Sequence, residues 1–165
     1  MIVRLLDSDA DQNLLVEAWH FRDTAPRWFR ECLEIFKESF DEYLLNARNE
    51  FHFGAFDEER LFAVVRMIPT KTGTWNIHLS ARKGTSFEEL VATGLEVRRR
   101  MYPNGASFYG WLPERNRTIG KLYEAIGFVD SGVRMYKGIV HGKTVCWRHF
   151  WLINADCMGT PQPIK

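Results

Sequence analysis

Cysteine is scarce in this chain, and neither sign of charge prevails. Cys32, Cys146 and Cys157 are the only three cysteines in 165 residues. No pair sits at Cys-x-x-Cys spacing, and an odd number leaves one thiol outside any disulfide scheme, so a reducing compartment such as the cytoplasm is expected. The 22 basic and 21 acidic side chains leave a net charge of +1, which supplies no field to gather nucleic acid or an anionic membrane. No apolar run approaches the roughly 20 residues of a membrane span. The opening MIVRLLDSDAD sets acidic residues straight after a short apolar run, unlike a signal or transit peptide. The five histidines and three cysteines never fall at metal-ligand spacing. His52 and His78 could approach one another on neighbouring strands, but no metal is expected. Repeats and low-complexity segments are missing too.

Apolar and aromatic residues are plentiful: 45% of the chain is hydrophobic and 14% aromatic, with six Trp and twelve Phe. That content and length suit one well-filled core, so residues 1–153 are expected to form a single domain and 154–165 a tail without periodicity. Ile2 to Leu6 reads as a strand and Asp9 to Phe21 as a helix capped by Asp9, with Leu14, Leu15, Ala18 and Trp19 inward. Arg27 to Ala47 repeats the helical period behind Pro26. Glu50 to Phe56, Leu61 to Ile68 and Trp75 to Ser80 form a three-stranded meander, the second strand ending at Pro69. Phe87 to Met101 is a helix ending in a solvated Arg98-Arg99-Arg100, broken by Pro103-Asn104-Gly105. Ser107 to Leu112 is the next strand. Val129 to Tyr136 and Thr144 to Ile153 pair around His141-Gly142, with Trp147, Phe150 and Trp151 packed on the core.

The most informative stretch is Asn116 to Phe128, NRTIGKLYEAIGF. Ile119, Leu122, Tyr123 and Ile126 recur at helical spacing, Asn116 can cap the N-terminus, and Gly127 supplies the left-handed residue that ends the helix. The spacing of Asn116, Leu122, Tyr123, Glu124, Gly127 and Phe128 resembles a conserved motif of the GNAT superfamily, the acyl-CoA-dependent N-acetyltransferases. The element order β-α-α-β-β-β-α-β-α-β-β is also that of the GNAT fold. The resemblance implies an α/β (α+β) fold with a mixed central sheet of about seven strands flanked by four helices. It implies acetyl-CoA as cofactor and an amine on a small molecule or protein as acceptor. Asn116 would then contact the pantetheine arm, and Tyr123 would protonate the leaving thiolate.

The family's diphosphate-binding turn corresponds to Arg82-Lys83-Gly84-Thr85-Ser86-Phe87. With Leu79 at the strand before it, the resemblance places Leu79, Arg82, Lys83, Gly84 and Thr85 along the cofactor. The turn departs from the family pattern: Thr85 and Phe87 stand where small residues let backbone N–H groups wrap the phosphates. Glu88 and Glu89 add negative charge, and Ser86 with Glu89 has capping-box spacing. Amine attack on a thioester also needs a base. His78, on the outward alternation of its strand, is the candidate, with Glu50 and His52 on the second strand as further basic groups. This worn turn, the retained helix motif and the ending from Gly132-Val133-Arg134 to His141-Gly142-Lys143 look like small GNAT-like bacteriophage proteins, some associated with head assembly or the virion interior. That narrower resemblance implies an alternative, a catalytically silent structural or interaction module in host cytoplasm or virion with a phage or host protein partner.

Overall fold

Seven strands, β1 (Ile2–Leu6), β2 (Phe51–Asp57), β3 (Arg60–Lys71), β4 (Thr74–Ala81), β5 (Ser107–Pro113), β6 (Val129–Val140) and β7 (Lys143–Ile153), join into one mixed sheet in the order β1-β2-β3-β4-β5-β7-β6. The computed structural model describes residues 1–24, 38–71, 73–101 and 107–153. Among these residues there are four α-helices, α1 (Gln12–His20), α2 (Phe40–Asn46), α3 (Phe87–Met101) and α4 (Arg117–Ile126). The element order and the sheet match the expected α+β architecture. No described helix is long and apolar enough to cross a membrane.

Helices pack on both faces of the sheet. Phe53, Ala55, Val65, Met67 and Ile77 meet Val97 and Met101 of α3 and Leu122, Tyr123 and Ile126 of α4. On the opposite face Leu6, Phe56, Leu61 and Val64 meet Leu15 and Ala18 of α1 and Tyr43 of α2. Helices α3 and α4 approach closely at Gly94, where a Cβ would fall 2.2 Å from Ile126 Cδ1. Every strand pair is antiparallel except β4 with β5. Those two pair over Thr74–Ser107, Trp75–Phe108 and Asn76–Tyr109 and then separate.

Several local expectations are corrected. Helix α1 starts at Gln12 rather than Asp9, because the Asp7 carboxylate accepts from the N–H groups of Asp9 and Ala10 at 2.9 and 2.8 Å and holds them in a turn. The long helix expected over Arg27 to Ala47 is not continuous. Residues 25–37 lie outside the described set, but Ser39 is extended and opens α2 through a reciprocal capping box with Glu42. Strand β3 runs past Pro69 to Lys71 with an irregularity beside the proline. Pairing with β2 stops at Met67, so Pro69 lies where one side of the ladder is already open. Arg98 is not a solvated cation: its Nη1 donates to the Ile126 carbonyl at 2.9 Å and caps the end of α4, whereas Arg99 and Arg100 bond Glu96. Trp147 and Phe150 are buried, but Trp151 is 45% exposed. The His141-Gly142 turn joins β6 to β7 with both residues at positive φ, 50° and 72°. The breaker at 103–105 and the tail at 154–165 lie outside the described residues.

Candidate active site

Helix α4 brings one polar group into the core. Asn116 Oδ1 accepts from the Ile119 N–H at 3.2 Å and caps the helix, and Gly127 closes it at φ 102°. Between these stops the apolar face buries Tyr123 to 3% exposure. The phenol ring lies over the bare backbone of Gly110, edge-on to Phe150 with centroids 5.7 Å apart. Its hydroxyl donates to the Ile77 carbonyl at 3.0 Å. Ile77 is the first β4 residue beyond the last pair with β5, so the phenol sits where the two strands part. Burial pushes its pKa above the ordinary tyrosine value, and it holds its proton at neutral pH.

The face turned toward α1 and α2 carries a charged row. Register aligns His52 of β2, Arg66 of β3 and His78 of β4. The sequence-based idea that His52 and His78 lie on neighbouring strands is corrected: β3 and its Arg66 run between them. Arg66 makes a bidentate pair with Glu38 at 2.6 and 2.7 Å and bonds Glu50 through Nε and through Nη2, the latter at 2.9 Å. His52, buried to 1%, bonds Glu50 at 3.2 Å. Burial raises the Glu50 pKa, but the hydrogen bonds from His52 and Arg66 outweigh it and hold the carboxylate at about 2. Glu50 and His52 are therefore committed to this network. Arg66 and Glu38 were missed in the sequence. The available signal was a charged residue inside the apolar run Leu61 to Ile68.

His78 remains open to solvent. Its Nε2 lies 3.2 Å from Asn76 Nδ2, which suits a neutral ring accepting there. Close packing around the ring and then the Arg66 guanidinium disfavour the imidazolium and lower the pKa to about 4. Because water reaches the ring, the repulsion from Arg66 is the firmer of the two causes.

The turn before α3 uses several of the candidate cofactor residues internally. Arg82 pairs with Glu17 of α1, its N–H bonds the Phe62 carbonyl at 2.8 Å, and Thr85 Oγ1 bonds the Arg82 carbonyl at 2.8 Å. Ser86 and Glu89 form the expected capping box at 2.7 and 3.2 Å. Gly84, at φ 92°, has open space where a Cβ would stand, and Lys83 is exposed. Phe87 is 38% exposed, outside the core on which Leu90 packs. Leu79 is half-buried against the α3–α4 core.

The pantetheine and thioester of a CoA donor would enter where β4 and β5 part, beside the Ile77 carbonyl and the Tyr123 hydroxyl, which bond each other there. At the diphosphate end Lys83, the open Gly84 and the first-turn N–H groups of Phe87 and Glu88, which have no intrahelical acceptor, fit more sparsely than a full glycine-rich turn would. Arg82, drawn to Glu17, is not directed there.

No protein-family model matches the chain, and no curated protein matches it in sequence. Solved structures do match. A variant of the spermidine N-acetyltransferase of Vibrio cholerae superposes with a TM-score of 0.68 at 17% identity over 96% of this chain and 98% of that one. A GNAT-family acetyltransferase from Streptococcus pneumoniae gives 0.70 at 14% identity over 92% and 98%. The ribosomal-protein-S5-alanine acetyltransferase of Vibrio fischeri gives 0.66 at 15% identity over 95% and 94%. At such identities the likeness is one of fold, and the fold of this chain is that of the GNAT acetyltransferases.

Proposed function

We propose that residues 1–153 act as one acyltransferase unit that moves an acetyl group from acetyl-CoA to an amine. The observation that carries this is the placement of the Tyr123 hydroxyl on the Ile77 carbonyl, where β4 and β5 separate. Acetyl-CoA, which the fold implies, supplies an electrophilic thioester carbonyl when bound. Transfer forms a C–N bond and breaks a C–S bond, so one proton must leave the nitrogen and another must reach the sulfur. Tyr123 holds a proton at Oη, resting on the Ile77 carbonyl until a departing sulfur takes its place. His78, neutral and solvent-facing, takes the amine proton. Asn116, Leu79, Lys83, Gly84 and Thr85 lie along the donor. Arg82 supports the turn through Glu17 rather than meeting phosphate.

The neighbours in fold act on acceptors as different as spermidine and a ribosomal-protein alanine, so fold alone leaves the amine open. Calorimetric titration with acetyl-CoA, followed by thiol release with a panel of amines, tests the proposal. Saturable binding and amine-dependent thiol release are expected. Binding of neither CoA nor acetyl-CoA would defeat it and leave the silent, virion-associated alternative as the better account.

A further inference from the structure

On the α1–α2 face, the strands beyond the β4–β5 separation carry a group of side chains that the steps above do not use. Phe108 and Leu112 of β5 belong to the α3–α4 core, so by alternation Tyr109 and Trp111 point to the opposite face. Register sets Tyr109 beside Asn76 and opposite Trp151, and Trp111 opposite His149. The His149 ring lies 4.8 Å from that of Trp111 and 5.7 Å from that of Tyr109. Ser131 Oγ fixes it, bonding its Nδ1 at 2.9 Å and its carbonyl at 3.2 Å. Tyr109, Trp111 and His149 are each half-buried. They form a shelf of rings tilted against His149, at 38° for Tyr109 and 49° for Trp111, that still meets solvent.

At the edge of this shelf stands an unsatisfied acceptor. Asn76 turns its Nδ2 to His78, and its Oδ1 is buried with no hydrogen-bond donor. A buried acceptor left unpaired is unfavourable, and an incoming N–H would relieve it. The carboxylates near His78, Glu38 and Glu50, are both engaged by Arg66. Neither is free to hold the second ammonium of a polyamine.

Resting on the transferase function above, we propose that the acceptor is a primary amine with a flat aromatic body. The body stacks on Tyr109, Trp111 and His149, and the amino group turns to Asn76 Oδ1 and His78. Offset stacking on such rings supplies attraction beyond the area covered. Among the described residues, the carboxylates near His78 are thus not arranged for a polycation, despite the shared fold with a spermidine N-acetyltransferase.

The test uses the full chain with 2-phenylethylamine and spermidine as probes. Nuclear magnetic resonance follows the Trp111 indole N–H during each titration, with and without CoA, and thiol release gives kcat and KM. Phenylethylamine should shift the Trp111 signal and be preferred over spermidine by about tenfold or more in kcat/KM. Trp111→Ala should raise its KM about tenfold and leave the acetyl-CoA KM unchanged. If that variant does not fold, Tyr109→Leu provides the same comparison from the other ring. Preference for spermidine, or an unmoved Trp111 signal at millimolar phenylethylamine, would overturn the proposal. Phenylethylamine binding at Trp111 without transfer to any amine would support the shelf and count against the transferase alone.

Discussion

The ring of Tyr123 lies so close to the backbone of Gly110 that a Cβ there would fall 2.5 Å from the ring. Gly110 thus gives the phenol the depth it needs to reach the Ile77 carbonyl. Gly110→Ala should push the ring away from β5 and cost about 1–3 kcal/mol by overpacking. Urea denaturation measures the cost. A variant as stable as the parent would mean that the ring has room to shift, and that its position is not dictated by the glycine.

Tyr123→Phe separates catalysis from stability only in part. The Ile77 carbonyl loses its donor in a buried setting, so a destabilisation of about 1–3 kcal/mol is expected. Turnover should fall by about a hundredfold or more at temperatures where the variant is fully folded. Unchanged turnover would remove Tyr123 from the proton path.

Arg66 neutralises two carboxylates that the fold has withdrawn from water, with Glu50 only 6% exposed. Arg66→Met should destabilise the protein by about 3–5 kcal/mol at neutral pH, because removing one partner strands the others. Glu50 has a folded-state pKa of about 2, below its unfolded value. Its pairing therefore stabilises fully above the unfolded carboxylate pKa, near 4.3, and is lost as pH falls through about 2. The gap between parent and variant should accordingly narrow on acidification below pH ~4, as read from denaturation curves across pH. A gap that does not change with pH would assign the effect to packing of the Arg66 stem.

Neutral His78, its pKa lowered from the ordinary histidine value, can accept a proton throughout the physiological range. The sign is that of a depressed base: the active form prevails above the lowered pKa and is lost beneath it. If His78 takes the amine proton, protonation of this residue should shape the acid limb of kcat below pH ~5. His78→Gln should lower kcat by about a hundredfold while leaving acetyl-CoA affinity in place. An acid limb that persists unchanged in His78→Gln would point to a different base.

Local patterns carried most of the fold. The alternation of β2 to β4, the Phe87 to Met101 period and the Asn116 to Gly127 stops all lie within single elements, and each was legible. The Ser39-x-x-Glu42 signature was equally present, but the apolar period of the preceding residues masked it. What stayed hidden joins distant residues. Arg66 finds Glu50 and Glu38 across 16 and 28 positions, and Tyr123 finds Ile77 across 46. No periodicity in one strand or helix encodes such pairings, because they depend on which strands become neighbours. The same holds for the Tyr109, Trp111 and His149 shelf, assembled from β5 and β7. Arg82 shows the converse: a cation beside the expected phosphate turn was legible, but its capture by Glu17 came only with α1.

Phe87 and Glu88 sit exposed at the start of α3 rather than in the core. Phe87→Gly with Glu88→Ala should therefore leave the fold intact, at a helix-propensity cost of about 1 kcal/mol. It should tighten CoA binding by opening the first-turn N–H groups and removing one negative charge. A folded variant with unchanged CoA affinity would show that the phenyl ring does not obstruct the turn.

In the proposed transfer, the parted strands around Tyr123 receive a CoA thioester. Titrating the full chain with acetyl-CoA in a calorimeter tests it most directly. A saturable heat is expected and, with ligand at a hundredfold excess over Kd, stabilisation of about 2.7 kcal/mol with a corresponding rise in Tm. No heat and no rise in Tm at millimolar acetyl-CoA would contradict it.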